Sequence, residues 1–174
     1  MMDVKENGPN INVGLKEITR LHNCELIIGL SPADVGLLSD ALAAMTPWKE
    51  LGMEAANLHA YMLKEDPSLL KLTIRVADCL AGVLMVRHPW LRGPYVELFC
   101  VLPAYQGAGV GRSVIRHIVD LLSERHPNIW VCASEFNFAA LKFYEREGFE
   151  RVCVMADIVT PNYNEVLLRR RIAT

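Results

Sequence analysis

VLPAYQGAGVGR, Val101 to Arg112, decides how the rest of the chain is read. A strand-forming run, Tyr95 to Leu102, leads into it and is broken at Pro103. Val110, Val114, Ile118, Leu121 and Leu122 follow at helical spacing. Between strand and helix lies Gln106-Gly107-Ala108-Gly109-Val110-Gly111, where unpaired backbone N–H groups and the positive end of the helix dipole converge. Such a point binds anions, and glycine there lets a phosphate reach the backbone and supplies any positive φ the turn needs. A tight turn with nothing bound would use the same glycines, so the loop alone leaves its ligand open. A Walker A loop ending at Gly111 needs glycine and lysine where Gln106 and Arg112 stand. A dinucleotide loop needs a third glycine where Arg112 or Val114 stands.

Upstream, residues 1–22 hold Gly8, Pro9 and Gly14 without sustained periodicity and read as an N-terminal extension. Cys24 to Leu30 suits a buried strand. Ser31, Pro32 and Asp34 then give an N-cap, a first-turn proline and an acidic residue three after the cap, which predicts a helix from Pro32 to about Ala44. Thr46-Pro47-Trp48 interrupts it, and Met53 to Lys64 predicts a second helix. Leu70 to Val76 and Ala81 to Arg87 read as a β-hairpin, with HPWLRGP as the loop that follows.

Downstream, Asn128 to Ser134 is a strand, Asn137 caps a helix, and Gly148 sits where a helix end takes a left-handed residue. Phe149 to Asp157 and Glu165 to Arg170 are the last strands, separated by Thr160-Pro161-Asn162. The order is β-α-α-β-β-β-α-β-α-β-β, an α/β domain over 23–174 with helices on both faces of its sheet.

The loop resembles the signature of the GNAT superfamily of acyl-coenzyme A-dependent N-acetyltransferases: Gln or Arg, two residues, Gly, one residue, then Gly or Ala. Here these are Gln106, Gly109 and Gly111. The resemblance continues in Asn137, Ala140, Phe143-Tyr144 and Gly148-Phe149. It implies a mixed sheet of six to seven strands whose two parallel central strands, Tyr95 to Leu102 and Asn128 to Ser134, splay apart around the thioester of acetyl-coenzyme A. Gln106 through Ser113, with Arg112 among them, would hold the pyrophosphate. Backbone N–H groups at Cys100, Val101 and Leu102 would polarise the thioester carbonyl, a contribution of roughly 3 kcal/mol where such donors are removed elsewhere. Asn137, Ala140 and Phe143 are implied around the cofactor, Asn137 touching the pantetheine arm or only capping its helix.

Transfer by direct attack needs a neutral amine, and an alkylamine has a pKa of about 10.4, so a base must take its proton and an acid must protonate the departing thiolate. Glu97, the acidic residue of the strand leading into the loop, is the base candidate; pairing with Arg87 or Arg92 is the competing role. Tyr144 is the acid candidate, since family members commonly place a tyrosine there; a core tyrosine beside Phe143 is the alternative. Cys132 stands where some members carry a catalytic glutamate. The apolar flanks of Cys100 and Cys132 argue against a thiolate nucleophile. The acceptor surface is expected from Met45 to Met62 and from HPWLRGPY, with Trp48, Tyr61, Trp90 and Tyr95 available to line it.

Composition bounds the partners. A net charge of -2 offers no footprint for a nucleic-acid backbone, and no apolar run approaches the roughly 18 residues that span a bilayer. The five cysteines stand singly and the five histidines lack metal spacing, so a reduced, cytoplasmic, metal-free protein is expected. The acceptor is a small-molecule or peptide amine of unassigned identity, with homodimerisation left open. A catalytically silent acyl-coenzyme A-binding module is the rival function.

Overall fold

The computed structural model describes residues 15–172. Among them the strands are β1 (Ile18–Arg20), β2 (Glu25–Ile28), β3 (Leu69–Val76), β4 (Cys79–Trp90), β5 (Gly93–Val101), β6 (Asn128–Ser134), β7 (Glu150–Ala156) and β8 (Asn164–Arg171). The helices are α1 (Pro32–Ala43), α2 (Ala55–Leu63), α3 (Val110–Ser123) and α4 (Phe138–Arg146). One sheet runs β1-β2-β3-β4-β5-β6-β8-β7, antiparallel except where β5 meets β6. The expected order from Cys24 onward is the order found. The sheet has eight strands against the six to seven expected, because Ile18–Arg20 pairs with β2 inside the stretch read as an extension. Residues 1–14 of that stretch lie outside the described residues.

Local signals set the element ends. Ser31 accepts a hydrogen bond from the Asp34 amide at 3.1 Å and Pro32 opens α1. The Asn137 side-chain Oδ1 caps α4 by accepting from the Ala140 amide at 3.1 Å, and Gly148, at φ 83°, ends that helix's overhang. The HPWLRGP stretch differs from expectation. His88-Pro89-Trp90 continues β4 and Gly93-Pro94 begins β5, with Leu91 and Arg92 alone at the hairpin tip. Pro89 is tolerated because the ladder skips it, the register passing from Arg87 to Trp90. Aromatic packing holds the extended hairpin: Trp90 stacks on Tyr95 at 4.7 Å and meets Trp130 edge-on at 5.6 Å.

The sheet is buried on both faces, so its central strands are apolar on both. β4 sends Leu84 and Val86 toward α3 and α4, and Val83 and Met85 toward α1 and α2. The first core takes Val114, Ile115, Ile118 and Leu141; the second takes Val35, Leu38, Leu42 and Met62. The two cores fix the sheet between its helices and leave the break between β5 and β6 as the place where the middle of the sheet opens.

Candidate active site

The opening has a local cause. β5 pairs with β6 only at Tyr95↔Trp130 and Val96↔Val131. On its other side, Val96 pairs with Val86 and Leu98 with Met85, so Glu97 is an extra residue, a β-bulge. The bulge bends β5 away at the point where its pairing with β6 stops. Leu102 then donates its amide to the Ala81 carbonyl at 2.8 Å, which makes Val101 and Gly82 a non-hydrogen-bonded pair and turns the Val101 N–H toward the gap. Of the amides expected at the thioester, Val101 therefore faces the gap, whereas that of Leu102 is committed to β4, and so, by alternation, is that of Cys100.

At the end of the gap the chain enters the glycine loop. Gly107 and Gly109 have φ of 78° and 79°, the left-handed region, and Gly109 is the N-cap of α3 with no side chain to cap it. The first intrahelical bond runs from the Ser113 amide to the Gly109 carbonyl at 3.0 Å, so the amides of Val110, Gly111 and Arg112 are left without intrahelical partners. The loop is pinned from outside by Asn23, whose side-chain amide donates to the Ala108 carbonyl at 3.0 Å, and from inside by Gln106, which donates to the Val101 carbonyl at 2.8 Å. The Gln106 contact joins the loop to the strand that precedes it.

Two cavities meet across the gap. One, of about 730 Å³, follows the glycine loop and reaches Cys100, Val101, Asn137, Ala140 and Phe143. The other, of about 370 Å³, lies on the far side and is walled by Trp48, Trp90, Tyr95, Glu97, Cys132 and Glu165. Pro47, Trp48, Phe99, Asn137, Ala140 and Tyr144 belong to both. Most of the expected cofactor residues thus share the first cavity, including Gln106, Gly107, Gly109, Gly111 and Arg112. Leu102, Ala108, Val110 and Ser113 do not line it; Val110 is a core residue, 2% exposed. Of the expected acceptor aromatics, Trp48, Trp90 and Tyr95 line the second cavity, and Tyr61 reaches it through Glu97.

Glu97 accepts from the Tyr61 hydroxyl and from Nε of Arg87, and its Oε1 accepts from a second Arg87 nitrogen at 2.9 Å. Burial pushes its carboxyl up to about 7. The Arg87 guanidinium acts in the opposite sense, favouring the ionised form. Tyr144 is buried at 6% exposure, and burial raises its hydroxyl above the ordinary tyrosine value, which keeps it a proton donor at neutral pH. Burial also pushes the Cys100 thiol up to about 12 and Cys132 up to about 11, so neither offers a thiolate near pH 7. Among the described residues no group of His, Cys, Asp and Glu could hold a metal, and no helix is long and apolar enough to cross a membrane.

Sequence reasoning passed over Glu165. It is 5% exposed, heads the buried run Val166-Leu167-Leu168, and lines the second cavity. Its Oε1 accepts from the Ser134 hydroxyl at 2.6 Å, across the β6–β8 pair that sets the two residues side by side. The signal was a lone acidic residue at the head of an apolar strand. The β7–β8 loop was passed over too, although Ile158 and Val159, 59% and 47% exposed, line the same cavity.

Residues 36–149 match the family model described as Acetyltransferase (GNAT) family. The chain belongs to that family. Over 72 residues it is 33% identical to a streptothricin acetyltransferase of Streptomyces lavendulae, a match that spans 40% of this chain and 38% of that protein's length. Among solved structures it superposes with TM-score 0.66 on the ribosomal-protein-S18-alanine N-acetyltransferase of Escherichia coli, at 18% identity over 86% of this chain and 95% of the other. It superposes with TM-score 0.55 on a Bacillus anthracis protein assigned as a streptothricin acetyltransferase, in complex with acetyl coenzyme A, at 21% identity over 62% of this chain and 64% of the other. The GNAT acetyltransferase fold, with its parallel β5–β6 pair, is thus the fold of this chain.

Proposed function

We propose that this GNAT acetyltransferase moves the acetyl group of acetyl-coenzyme A onto a primary amine by direct attack, with both substrates bound together. The observation that carries the reading is the junction of two cavities at Tyr144, one bordered by unpartnered amides and the other by carboxyls. The amides of Val110, Gly111 and Arg112 suit a pyrophosphate, and the Val101 amide suits the thioester oxygen. The acceptor enters from the second cavity. Its ammonium gives one proton to Glu97 and the neutral nitrogen attacks the carbonyl carbon; as the C–S bond breaks, Tyr144 protonates the sulfur of coenzyme A and regains a proton from the acylated nitrogen, which leaves the neutral amide. Protonated cysteines on either side of the gap leave direct attack as the supported route, without an acetyl-thiol intermediate. The streptothricin acetyltransferase relative favours a small-molecule amine as the acceptor class.

The test is release of free coenzyme A from acetyl-coenzyme A across a library of primary amines, amino acids, peptides and polyamines. Turnover that saturates in both substrates, with lines that intersect in double-reciprocal plots, is expected. Tight binding of acetyl-coenzyme A with no turnover on any amine would leave only a binding module, and ping-pong kinetics would reject direct attack.

A further inference from the structure

The second cavity contains two carboxyls of different standing. Glu97 already has its cation in Arg87. Glu165 has none: among the described residues it makes no ion pair, its Oε2 has no hydrogen-bond partner, and its single partner is the neutral Ser134 hydroxyl at 2.6 Å from Oε1. A carboxyl so buried, with one oxygen open to a cavity, either keeps its proton or is met there by a cation. Arg169, on the same face of β8, is directed instead over the Trp130 ring at 5.6 Å. Apart from Ser134, Cys132 and Asn137, which are neutral, the rest of the wall is apolar or aromatic, with Trp48, Trp90 and Tyr95 and the exposed Ile158 and Val159 beside them.

We propose that Glu165 holds a second cationic group of the acceptor, one that is not acetylated, so that the substrate class is a compact diamine, or an amine bearing a guanidinium, with an apolar body between its charges. The inference rests on the acetyl-transfer reading above. The division of labour follows from proton chemistry. The attacking nitrogen must lose its proton, and a carboxylate gripping an ammonium with nothing to compete for it stabilises that proton. An uncompensated carboxylate therefore serves a cation that stays charged, and the reacting amine falls to the side where Glu97 is already paired. Cavity volume limits the body: about 370 Å³ lies at the small end of the ~300–1,000 Å³ typical of ligand sites. A free amino acid is disfavoured, since its carboxylate would meet the Glu165 charge.

The experiment compares m-xylylenediamine with benzylamine, which share the apolar body and the reacting aminomethyl group and differ by the second ammonium. Wild-type kcat/KM is expected to favour the diamine by tenfold or more, well beyond the twofold that its two equivalent amines provide. Glu165→Gln, which keeps the Ser134 contact, is expected to raise KM for the diamine, to bring the ratio down to about twofold because the loss on the diamine exceeds any change on benzylamine, and to leave acetyl-coenzyme A binding as it was; Glu165→Asp should restore part of the preference. A ratio that stays high in Glu165→Gln overturns the assignment. So does a wild-type ratio near two, or loss of both amines together, which would mark Glu165 as merely structural. Turnover with other amines of the library but with neither probe also overturns it, whereas no turnover with any amine rejects the acetyl-transfer reading itself.

Discussion

Within the glycine loop, two neighbouring glycines have different reasons to be there. Gly109 sits at φ 79°, and a Cβ on it would come within 3.4 Å of the Asn23 amide nitrogen. Gly109→Ala should cost about 1–2 kcal/mol from the left-handed backbone alone, and Gly109→Glu should also abolish acetyl-coenzyme A binding by putting an anion where the pyrophosphate approaches. Gly111 has no positive φ, and a Cβ there meets Phe143 and Val101 at an ordinary 3.7 Å. Gly111→Ala, inside α3, should therefore raise stability by about 0.5–1 kcal/mol and keep binding. Denaturant melts and calorimetric titration of the three variants would check both statements; normal binding by Gly109→Glu would refute the loop assignment. Tyr144→Phe should lower kcat by about a hundredfold or more with little change in affinity, as loss of a general acid does. An unchanged kcat would make Tyr144 a core residue that borders Phe143 and Phe149 at 5.2 and 5.6 Å between ring centroids. The loop could be read from sequence because its glycines act locally. Glu165 could not, because nothing in NEVLL says that Ser134, 31 positions earlier, lies beside it or that a cavity opens there.

At the scale of elements, most boundaries were legible because caps and breakers mark them in the chain itself. The hairpin of β4 and β5 was not, because Pro89 and Gly93 punctuate as a loop does, while the edge-on contact that Trp130 makes with Trp90 comes from a strand far off in sequence. The bulge at Glu97 was equally hidden, since it exists only in the register between two strands. One inter-element tie lends itself to measurement. The Glu147 side chain, 1% exposed just past α4, accepts from Nε of Arg112 at 3.1 Å and of Arg116 at 2.7 Å, both on α3, and its carbonyl accepts from Arg170 on β8. Glu147→Gln keeps the shape and removes the charge, and should cost about 1.5–3 kcal/mol, the range for hydrogen bonds to charged groups. Equilibrium denaturation would detect the loss. No change would mean that the two arginines, each 57% exposed, gain as much from water as from Glu147.

For the whole molecule, the carboxyl buried at the second cavity ties stability to pH. Burial raises the Glu165 carboxyl above its ordinary value of 4.5, with the Ser134 bond opposing in part. The folded protein therefore holds that proton more tightly than the unfolded chain does. Its contribution is fully present below about pH 4.5 and is lost as pH rises through the folded-state value. Glu165→Gln removes this dependence, so the melting temperature of the variant relative to wild type should increase between pH 5 and pH 8. A constant difference would mean that Glu165 has its ordinary affinity for protons.

The early end of the β5–β6 ladder also makes β5 a reporter of its own occupancy. Past Val96 its amides alternate: that of Leu102 is locked to β4, whereas those of Phe99 and Val101 face the gap with no strand to receive them. Adjacent amides of one strand should thus exchange with deuterium at contrasting rates, a striped pattern no fully paired central strand would give. Seating a donor molecule in the gap should slow the fast stripe, Val101 above all, and leave the slow one as it was.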